Sequence, residues 1–335
     1  MSILHIRLHY CRVQAKISLY LRPKQFFKMI SRRNIRVKVM QTIYSVETAG
    51  AESDMVKAKA LLKKKIDDSA RLFSYLVFLI TEVARYAETD SLKRSSKHLP
   101  TEQDLQVNTK IAGNTLLWQI LEDSSFQMTA EEDKFSLLCD TELIRKLYIE
   151  LTESEAYQRY TGLQSRGKND ERDILVHIVN DLMFPSEDLT GHLEEHFLHW
   201  DDDAEMMQQM LMNFLHKPAS YNFRQIVSQE KRTFAMNLLT TAIEKKDYCL
   251  ELIKPRLKNW DADRIAQLDM IIMRLGVCEL LYFETIPAKV TINEYIDLAK
   301  EYSTPQSGQF VNGLLDNIHK EIEQQGNLNK VDYKK

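Results

Sequence analysis

Two histidines and a glutamate in the middle of the chain have the spacing of a known metal site. His192, Glu195 and His196 follow the pattern H-x-x-E-H, in which two imidazoles on one helix face bind zinc for peptide hydrolysis. The pattern fixes only three residue types in five positions, and the surrounding segment is rich in acids and histidine. We therefore favour a solvated helix face over a zinc hydrolase, and we predict no metal, no cofactor and no catalytic residue.

A second group of candidate residues begins the segment 31–46, SRRNIRVKVMQTIYSV. Placed on a helix, its apolar residues form one stripe, and Arg32 and Arg36 point in the direction of that stripe while Lys38 points away from it. The stripe consists of Ile35, Val39, Ile43 and Val46. A guanidinium group cannot enter a core unpaired, because its desolvation costs several kcal/mol. The first turn, with Ser31 as its predicted N-cap, must therefore meet water, an acidic group or a bound polyanion.

Composition indicates an all-α protein. The 335 residues include only 9 glycines and 7 prolines, fewer than β-sandwiches, barrels or glycine-loop nucleotide folds require. Helix-forming residues are abundant, and the hydrophobic share of 44% is enough for a sizeable core. The sequence also lacks a Walker pattern and a nucleophile elbow.

Charge is distributed unevenly along the chain. The net charge is −3, yet residues 1–46 contain ten Lys or Arg and no acidic residue, while the remainder carries a balance of −13. A basic end on an acidic body predicts an anionic partner at that end, and a solvated basic tail is the alternative.

The four cysteines and the apolar runs indicate a cytoplasmic protein. No two cysteines form a C-x-x-C pair, and Cys249 and Cys278 fall in helical patterns that predict buried thiols. The longest apolar run, residues 76–80, is far shorter than the roughly 20 residues of a membrane helix. We expect a reducing compartment, no membrane association and no signal peptide.

The periodicity divides the chain into four parts. Residues 1–28 form a basic extension, 29–225 an N-terminal helical part, 226–323 a C-terminal helical part and 324–335 a disordered tail. The predicted helices are 31–47, 52–88, 101–122, 131–158, 170–183, 187–198, 202–215, 225–246, 247–257, 261–284, 289–302 and 305–323. Four interpretations fit the extension: an ordered helix, a flexible arm, a transit-type presequence, or a start site assigned too far upstream. We prefer the last of these, in which translation begins at Met29.

Local signals are clearest in the C-terminal part. Asp261 is predicted as an N-cap, with Trp260 and Ile265 spaced as a hydrophobic staple. Gly276 predicts the close approach of another helix, and residues 303–306 (STPQ) predict a capping box with proline in the first turn.

Three linked segments resemble the NusB family of bacterial transcription antitermination factors. They are 259–282 (NWDADRIAQLDMIIMRLGVCELLY), 286–300 (IPAKVTINEYIDLAK) and 307–316 (SGQFVNGLLD), in the family's order and spacing. The arginine-rich helix that ends in QTIY at residue 44 is similar to the family's first helix. Residues 50 to about 225 have no counterpart and resemble a lineage-specific helical expansion.

The resemblance implies a fold and a function. It implies two all-α subdomains that bind a boxA-type single-stranded RNA, found in leader transcripts such as those of ribosomal RNA. It also implies pairing with NusE, the ribosomal protein that doubles as a transcription factor, and entry into the elongation complex with other Nus factors and RNA polymerase. No enzymatic activity is implied.

The resemblance also assigns residues to two surfaces. It implies RNA contacts from the first helix by Arg32, Arg33, Arg36 and Lys38, and from the last helix by Gln306, Ser307 and Phe310. For Phe310, rim packing is an equal alternative. Asn34 and Gln309 stand where the family has arginine and lysine, so phosphate neutralisation is expected to be weaker here. Tyr44 and Asp269 match positions that contact the protein partner, and each also fits an ordinary structural role.

Charged residues inside the C-terminal helices predict a buried ion-pair network. Arg274 and Glu279 lie in an apolar helix, and Glu294 lies in the next one. The main alternative to RNA binding is a helical protein-interaction scaffold in which the expansion is the functional part. Salt-dependent RNA binding separates the two, because phosphate contacts weaken steeply with salt.

Overall fold

The computed structural model describes residues 30–50, 54–257, 266–326 and 330. These residues are helical and contain no β-strand, which confirms the all-α prediction. The predicted extension 1–28, the N-cap Asp261 and the staple of Trp260 and Ile265 lie outside the described residues.

The described part of the chain contains a series of α-helices. In chain order they are α1 (Arg32–Thr48), α2 (Met55–Ser95), α3 (Glu102–Leu105), α4 (Thr115–Leu121), α5 (Ser124–Glu132), α6 (Phe135–Leu138), α7 (Thr141–Glu153), α8 (Glu155–Gly162), α9 (Lys168–His177), α10 (Glu187–His196), α11 (Trp200–His216), α12 (Gln229–Glu244), α13 (Lys246–Ile253), α14 (Gln267–Tyr282), α15 (Ala288–Tyr302) and α16 (Pro305–Gln324). A π-helix, Ile178–Met183, continues α9 directly.

Helix α1 lies at the centre of the packing. It contacts α2 on one side and α12 and α14 on others, so it joins elements far apart in the sequence. Its predicted stripe is confirmed, since Ile35, Val39 and Ile43 are fully buried. Ser31 is the N-cap, as predicted, and its side chain accepts a hydrogen bond from the Asn34 backbone N–H.

The middle of the chain contains more and shorter helices than predicted. The single helix predicted over 131–158 is wrong, because Lys134 adopts a left-handed backbone (φ 53°) after α5. Asp140 and Ser154 then act as N-caps and start α7 and α8. Each short polar side chain binds free backbone N–H groups and so favours a new helix over continuation of the old one.

Helices α15 and α16 lie within one residue of their predicted bounds, whereas α14 begins at Gln267 and not at residue 261. The predicted capping box is wrong, because Thr304, and not Ser303, is the N-cap, and its side chain accepts from the Ser307 backbone N–H at 3.1 Å. Most of the predicted disordered tail lies outside the described residues. Lys330 is described, and its ammonium group donates to the carbonyl oxygens of Glu279 and Phe283, at the C-terminal end of α14.

Two further predictions concern burial. Cys249 and Cys278 are buried, as predicted. No helix among the described residues combines the length and apolarity that crossing a bilayer requires.

Gly276 allows α16 to pack closely on α14, as predicted. A Cβ atom at this position would lie 2.8 Å and 2.9 Å from the two terminal methyls of Leu315, which is itself fully buried. We expect Gly276→Ala to destabilise the protein by about 1–2 kcal/mol, because overpacking outweighs the gain in helix propensity. Thermal denaturation followed by circular dichroism measures the effect.

Gly313→Ala on α16 is the matched control. Apart from the neighbouring residues and backbone of its own helix, no described atom lies within 4 Å of a Cβ at that position, so helix propensity alone is expected to stabilise the protein slightly. Opposite signs for the two substitutions support the close contact, and a stabilising Gly276→Ala contradicts it.

Candidate nucleic-acid interface

Arg32 lies at the exposed start of α1. Its side chain is 39% exposed and pairs with Glu230 of α12 at 2.5 Å. The guanidinium carbon also lies 5.5 Å from the centroid of the Phe234 ring, which supports a cation–π contact. Because Glu230 is itself 72% exposed, this ion pair is solvated on both sides and contributes little to stability.

Arg33 is similarly placed against α15. Its side chain is 36% exposed and pairs with Asp297 at 3.4 Å and with Glu301 at 2.8 Å. Desolvation opposes the charged form, but the hydrogen bond to Glu301 and the neighbouring carboxylates outweigh it and raise the pKa of Arg33. Asp297 and Glu301 are four residues apart on one helix, so their spacing is the sequence signal for this acidic face.

Arg36 is not available to RNA, and the prediction of a direct contact is wrong for this residue. It is 2% exposed, and its guanidinium group donates to both carboxylate oxygens of Glu279 at 2.8 Å. A third hydrogen bond of 3.3 Å reaches Glu294. Desolvation is the largest influence and favours the neutral form, but these carboxylates outweigh it and raise the pKa of Arg36.

The predicted buried network therefore has a different connectivity. Glu279 and Glu294 belong to it, but their partner is Arg36 from the first helix. Arg274 pairs instead with Glu47 at the other end of α1, at 2.6 Å. Two ion pairs, each with a buried arginine, thus fix α1 against α14 at separate positions.

Lys38 is also buried, which corrects its assignment as an RNA contact. The ammonium group lies 2.9 Å from Asp203 at the start of α11, and the residue is 2% exposed. Ser69 of α2 donates to the same carboxylate at 2.6 Å. The face of α1 opposite its apolar stripe is therefore covered by α2 and α11, which belong to the middle region of the chain (residues 50 to about 225). Gln41 on this face of α1 also donates to Asp202 of α11 at 2.5 Å.

The start of α16 presents one exposed and two less accessible candidates. Gln306 is exposed, whereas Phe310 is partly buried and packs against the core. Ser307 is buried and donates to Asp269 of α14 at 2.9 Å. Among these three predicted RNA contacts, Gln306 is therefore the most accessible side chain and Ser307 the least.

Helix α15 brings the two predicted RNA-binding elements close together. Its last turns carry Asp297 and Glu301, which contact Arg33, and also Lys300, whose side chain lies against Gly308 of α16. The starts of α1 and α16 thus flank one short stretch of α15, although they are some 270 residues apart in the sequence.

The two predicted protein-partner residues have different environments. Tyr44 is 43% exposed on α1. Asp269 is 8% exposed and accepts the hydrogen bond from Ser307. It therefore holds the first turn of α16 against α14.

The histidine pattern of the middle region is built differently from a metal site. His192 Nε2 lies 2.7 Å from the Tyr75 hydroxyl. The pKa of His192 is lowered, mainly because burial disfavours its charged form. Within the described residues, no group of three or more His, Cys, Asp and Glu side chains is placed to hold a metal ion.

Similarity to known proteins is concentrated in the C-terminal part. The sequence profile of the NusB family matches residues 200–320. The chain is 42% identical over 100 residues to the transcription antitermination protein NusB of Salinibacter ruber, which covers 30% of this chain and 62% of that protein. It is 40% identical over 99 residues to NusB of Finegoldia magna (30% and 72%) and 38% identical over 115 residues to NusB of Methylacidiphilum infernorum (34% and 76%). No solved structure matches the chain.

Proposed function

The chain belongs to the NusB family of transcription antitermination proteins, and on that basis we propose that it is a non-enzymatic, RNA-binding transcription factor. It binds a boxA-type single-stranded RNA together with the ribosomal protein NusE and joins the elongation complex with other Nus factors and RNA polymerase. Its main role is in the transcription of ribosomal RNA.

The observation that carries this proposal is the contrast among the cations of α1. Arg36 and Lys38 are buried with buried carboxylates, whereas Arg32 and Arg33 are partly exposed with partners that are at least 40% exposed. Exposed ion pairs contribute about 0–1 kcal/mol, so a phosphate can replace Glu230, Asp297 or Glu301 at little cost. The planar guanidinium then binds phosphate through two hydrogen bonds or stacks on an unpaired base.

The neighbouring starts of two helices support a single-stranded ligand. The starts of α1 and α16 both contact α15, Arg33 through Asp297 and Glu301 and Gly308 through Lys300, so a strand bound at the arginines also lies near the helix start that carries Gln306 and Phe310. An aromatic edge suits the bases of a flexible strand, which are free to stack. The exposed Tyr44, and Asp269 through its bond to Ser307, are assigned to the surface for NusE.

The experiment is fluorescence anisotropy of the full chain with a boxA-type RNA at several salt concentrations. We expect Arg32→Gln with Arg33→Gln to lower affinity roughly 10- to 100-fold and to reduce the log–log salt slope by about 1.4, which is about 0.7 per lost phosphate contact on a single strand. Addition of purified NusE is expected to tighten binding by the unmodified chain.

Arg145→Gln with Arg172→Gln is the matched control, because both arginines are partly exposed and paired with carboxylates in the middle region. This control is expected to bind RNA like the unmodified chain. If the RNA fails to bind, or if the two double variants behave alike, the proposal is wrong and a protein-interaction scaffold without RNA binding takes its place.

A further inference from the structure

A surface groove runs between the start of α2 and the outer face of α12. It consists of two adjoining cavities of about 530 and 320 Å³, which share Met236 and Asn237 as lining residues. Lys59 lines the larger cavity and Lys63 the smaller one. Since these lysines are four residues apart, they lie on one face of α2, along the same edge of the groove.

The positive charges of this groove are less compensated by carboxylates than those of Arg32 and Arg33, which together form the arginine site. Lys59 and Lys63 are exposed and form no ion pair with any residue that the structure describes. Arg232, at the smaller cavity, pairs with Asp67 at 2.6 Å. Glu284 is the acidic residue lining the larger cavity. The edge formed by α2 is thus a place where an anion gains attraction without displacing a protein carboxylate.

An exposed aromatic ring lies at the far end of the groove. Tyr282, the last residue of α14, is 40% exposed and lines the larger cavity. The Lys245 ammonium group lies 6.0 Å from the centroid of this ring, so a cation accompanies the aromatic surface. Cations along a channel that ends at an exposed ring are the combination that proteins use for single strands.

The smaller cavity lies next to the carboxylate that pairs with Arg32. Gln229 lines the smaller cavity, and the next residue, Glu230, is the partner of Arg32. A strand that displaces Glu230 from Arg32 therefore lies at the entrance of the groove.

From these observations we infer that the groove is a second RNA subsite, which binds the sugar–phosphate backbone of nucleotides flanking the boxA-type element and stacks one base on Tyr282. The inference rests on the proposed function, because it takes the strand to be bound already at Arg32 and Arg33. The side chains of Asn237 and Thr240 supply neutral hydrogen-bonding groups between the cations and the ring, which suits nucleotides better than an acidic peptide.

The test compares two RNAs by fluorescence anisotropy with the full chain. The short RNA contains only the boxA-type element, and the long RNA carries in addition about 8 uridines at either end, within the span of common single-strand sites. We expect the long RNA to bind about tenfold more tightly. Lys59→Gln with Lys63→Gln is expected to abolish this gain, to reduce the salt slope for the long RNA by about 1.4, and to leave the short RNA unaffected.

Two controls separate the subsite from general charge and from folding. Lys93→Gln with Lys168→Gln removes two exposed lysines of the middle region and is expected to retain the gain. Tyr282→Leu is expected to lose part of the gain and Tyr282→Phe to retain it, since phenylalanine preserves stacking. Circular dichroism melting of each variant is expected to match the unmodified chain.

The outcomes distinguish this inference from the proposed function. If neither RNA binds, both proposals are wrong. If the short RNA binds but the uridines add nothing, or both lysine double variants lose the gain equally, the second subsite is wrong and the proposed function remains. If a polyglutamate peptide binds with the same dependence on Lys59 and Lys63, the groove is a site for acidic peptides and the RNA subsite is overturned.

Discussion

Replacing Arg36 with methionine is expected to lower the free energy of unfolding by about 3–5 kcal/mol. The substitution removes the only cation that contacts the side chain of Glu279 in the described structure, and Glu279 is fully buried. Thr291 and Tyr295 still donate to this carboxylate, but two hydroxyl groups do not offset the desolvation of a full charge. Urea denaturation followed by circular dichroism measures the loss.

The matched control is Arg33→Met, three residues away on the same helix. Its partners Asp297 and Glu301 are about 40% exposed, so this substitution is expected to cost about 1 kcal/mol or less. Arg36→Met combined with Glu279→Gln is expected to recover most of the stability, because the amide keeps its hydroxyl partners and buries no charge. Equal losses for Arg33→Met and Arg36→Met contradict the buried pair.

This pair explains why α1 carries arginines in the direction of its core. Sequence periodicity correctly predicts the direction of Arg32 and Arg36 relative to the apolar stripe, and it excludes an unpaired guanidinium there. It does not predict which anion is present. Glu279 follows Arg36 by more than 240 residues, so only tertiary packing shows that the anion for Arg36 is internal and leaves Arg32 and Arg33 for an external one.

The predictable part of the fold lies where an apolar period coincides with local signals. Helices α15 and α16 keep one stripe each, α14 is buried on nearly all sides, and Gly276 marks the contact between α14 and α16. In the middle region the apolar period continues across breaks in the backbone. Lys134 adopts the left-handed backbone conformation although it is not a glycine. The sequence therefore gives no signal of this break and predicts a continuous helix over 131–158.

The candidate site was predicted in part for a related reason. A helical wheel treats the side opposite the apolar stripe as solvent-facing, which agreed with the RNA contact that the resemblance implied for Lys38. In the structure that side is covered by α2 and α11 through polar contacts, so the sequence of α1 shows no second apolar stripe that would indicate this burial. The groove at Lys59 and Lys63 was missed because both lysines belong to a long charged helix start that has no motif of its own.

The second large effect is expected for Lys38→Met, which leaves the buried Asp203 carboxylate with Ser69 as its one remaining side-chain hydrogen-bond partner among the described residues. Asp203 is 2% exposed, so we expect a loss of about 3–5 kcal/mol in the free energy of unfolding by urea denaturation. Lys146→Met is the matched control, because its partner Asp188 is 60% exposed and the pair is worth about 1 kcal/mol or less.

His199 provides a local measurement of the same change. Burial, then the charges of Lys38 and Lys65, lower the pKa of His199 from 6.5 to about 4, although Asp202 and Asp203 oppose the shift. The unfolded chain therefore binds more protons between pH 6.5 and 4, and this histidine makes the protein less stable as the pH falls through that range. In Lys38→Met, the pKa of His199 measured by NMR is expected to rise.

The location of the damage tests what Lys38 joins. Because its pair with Asp203 connects α1 to α11, Lys38→Met is expected to accelerate hydrogen–deuterium exchange in α11 and the adjoining part of α2 more than in α15 and α16. Lys38→Met with Asp203→Asn is expected to restore slow exchange, since asparagine still accepts from Ser69. A loss of about 1 kcal/mol or less, with an unchanged pKa of His199, means that the middle region is held on α1 by its other contacts and that Lys38 does not fix it there.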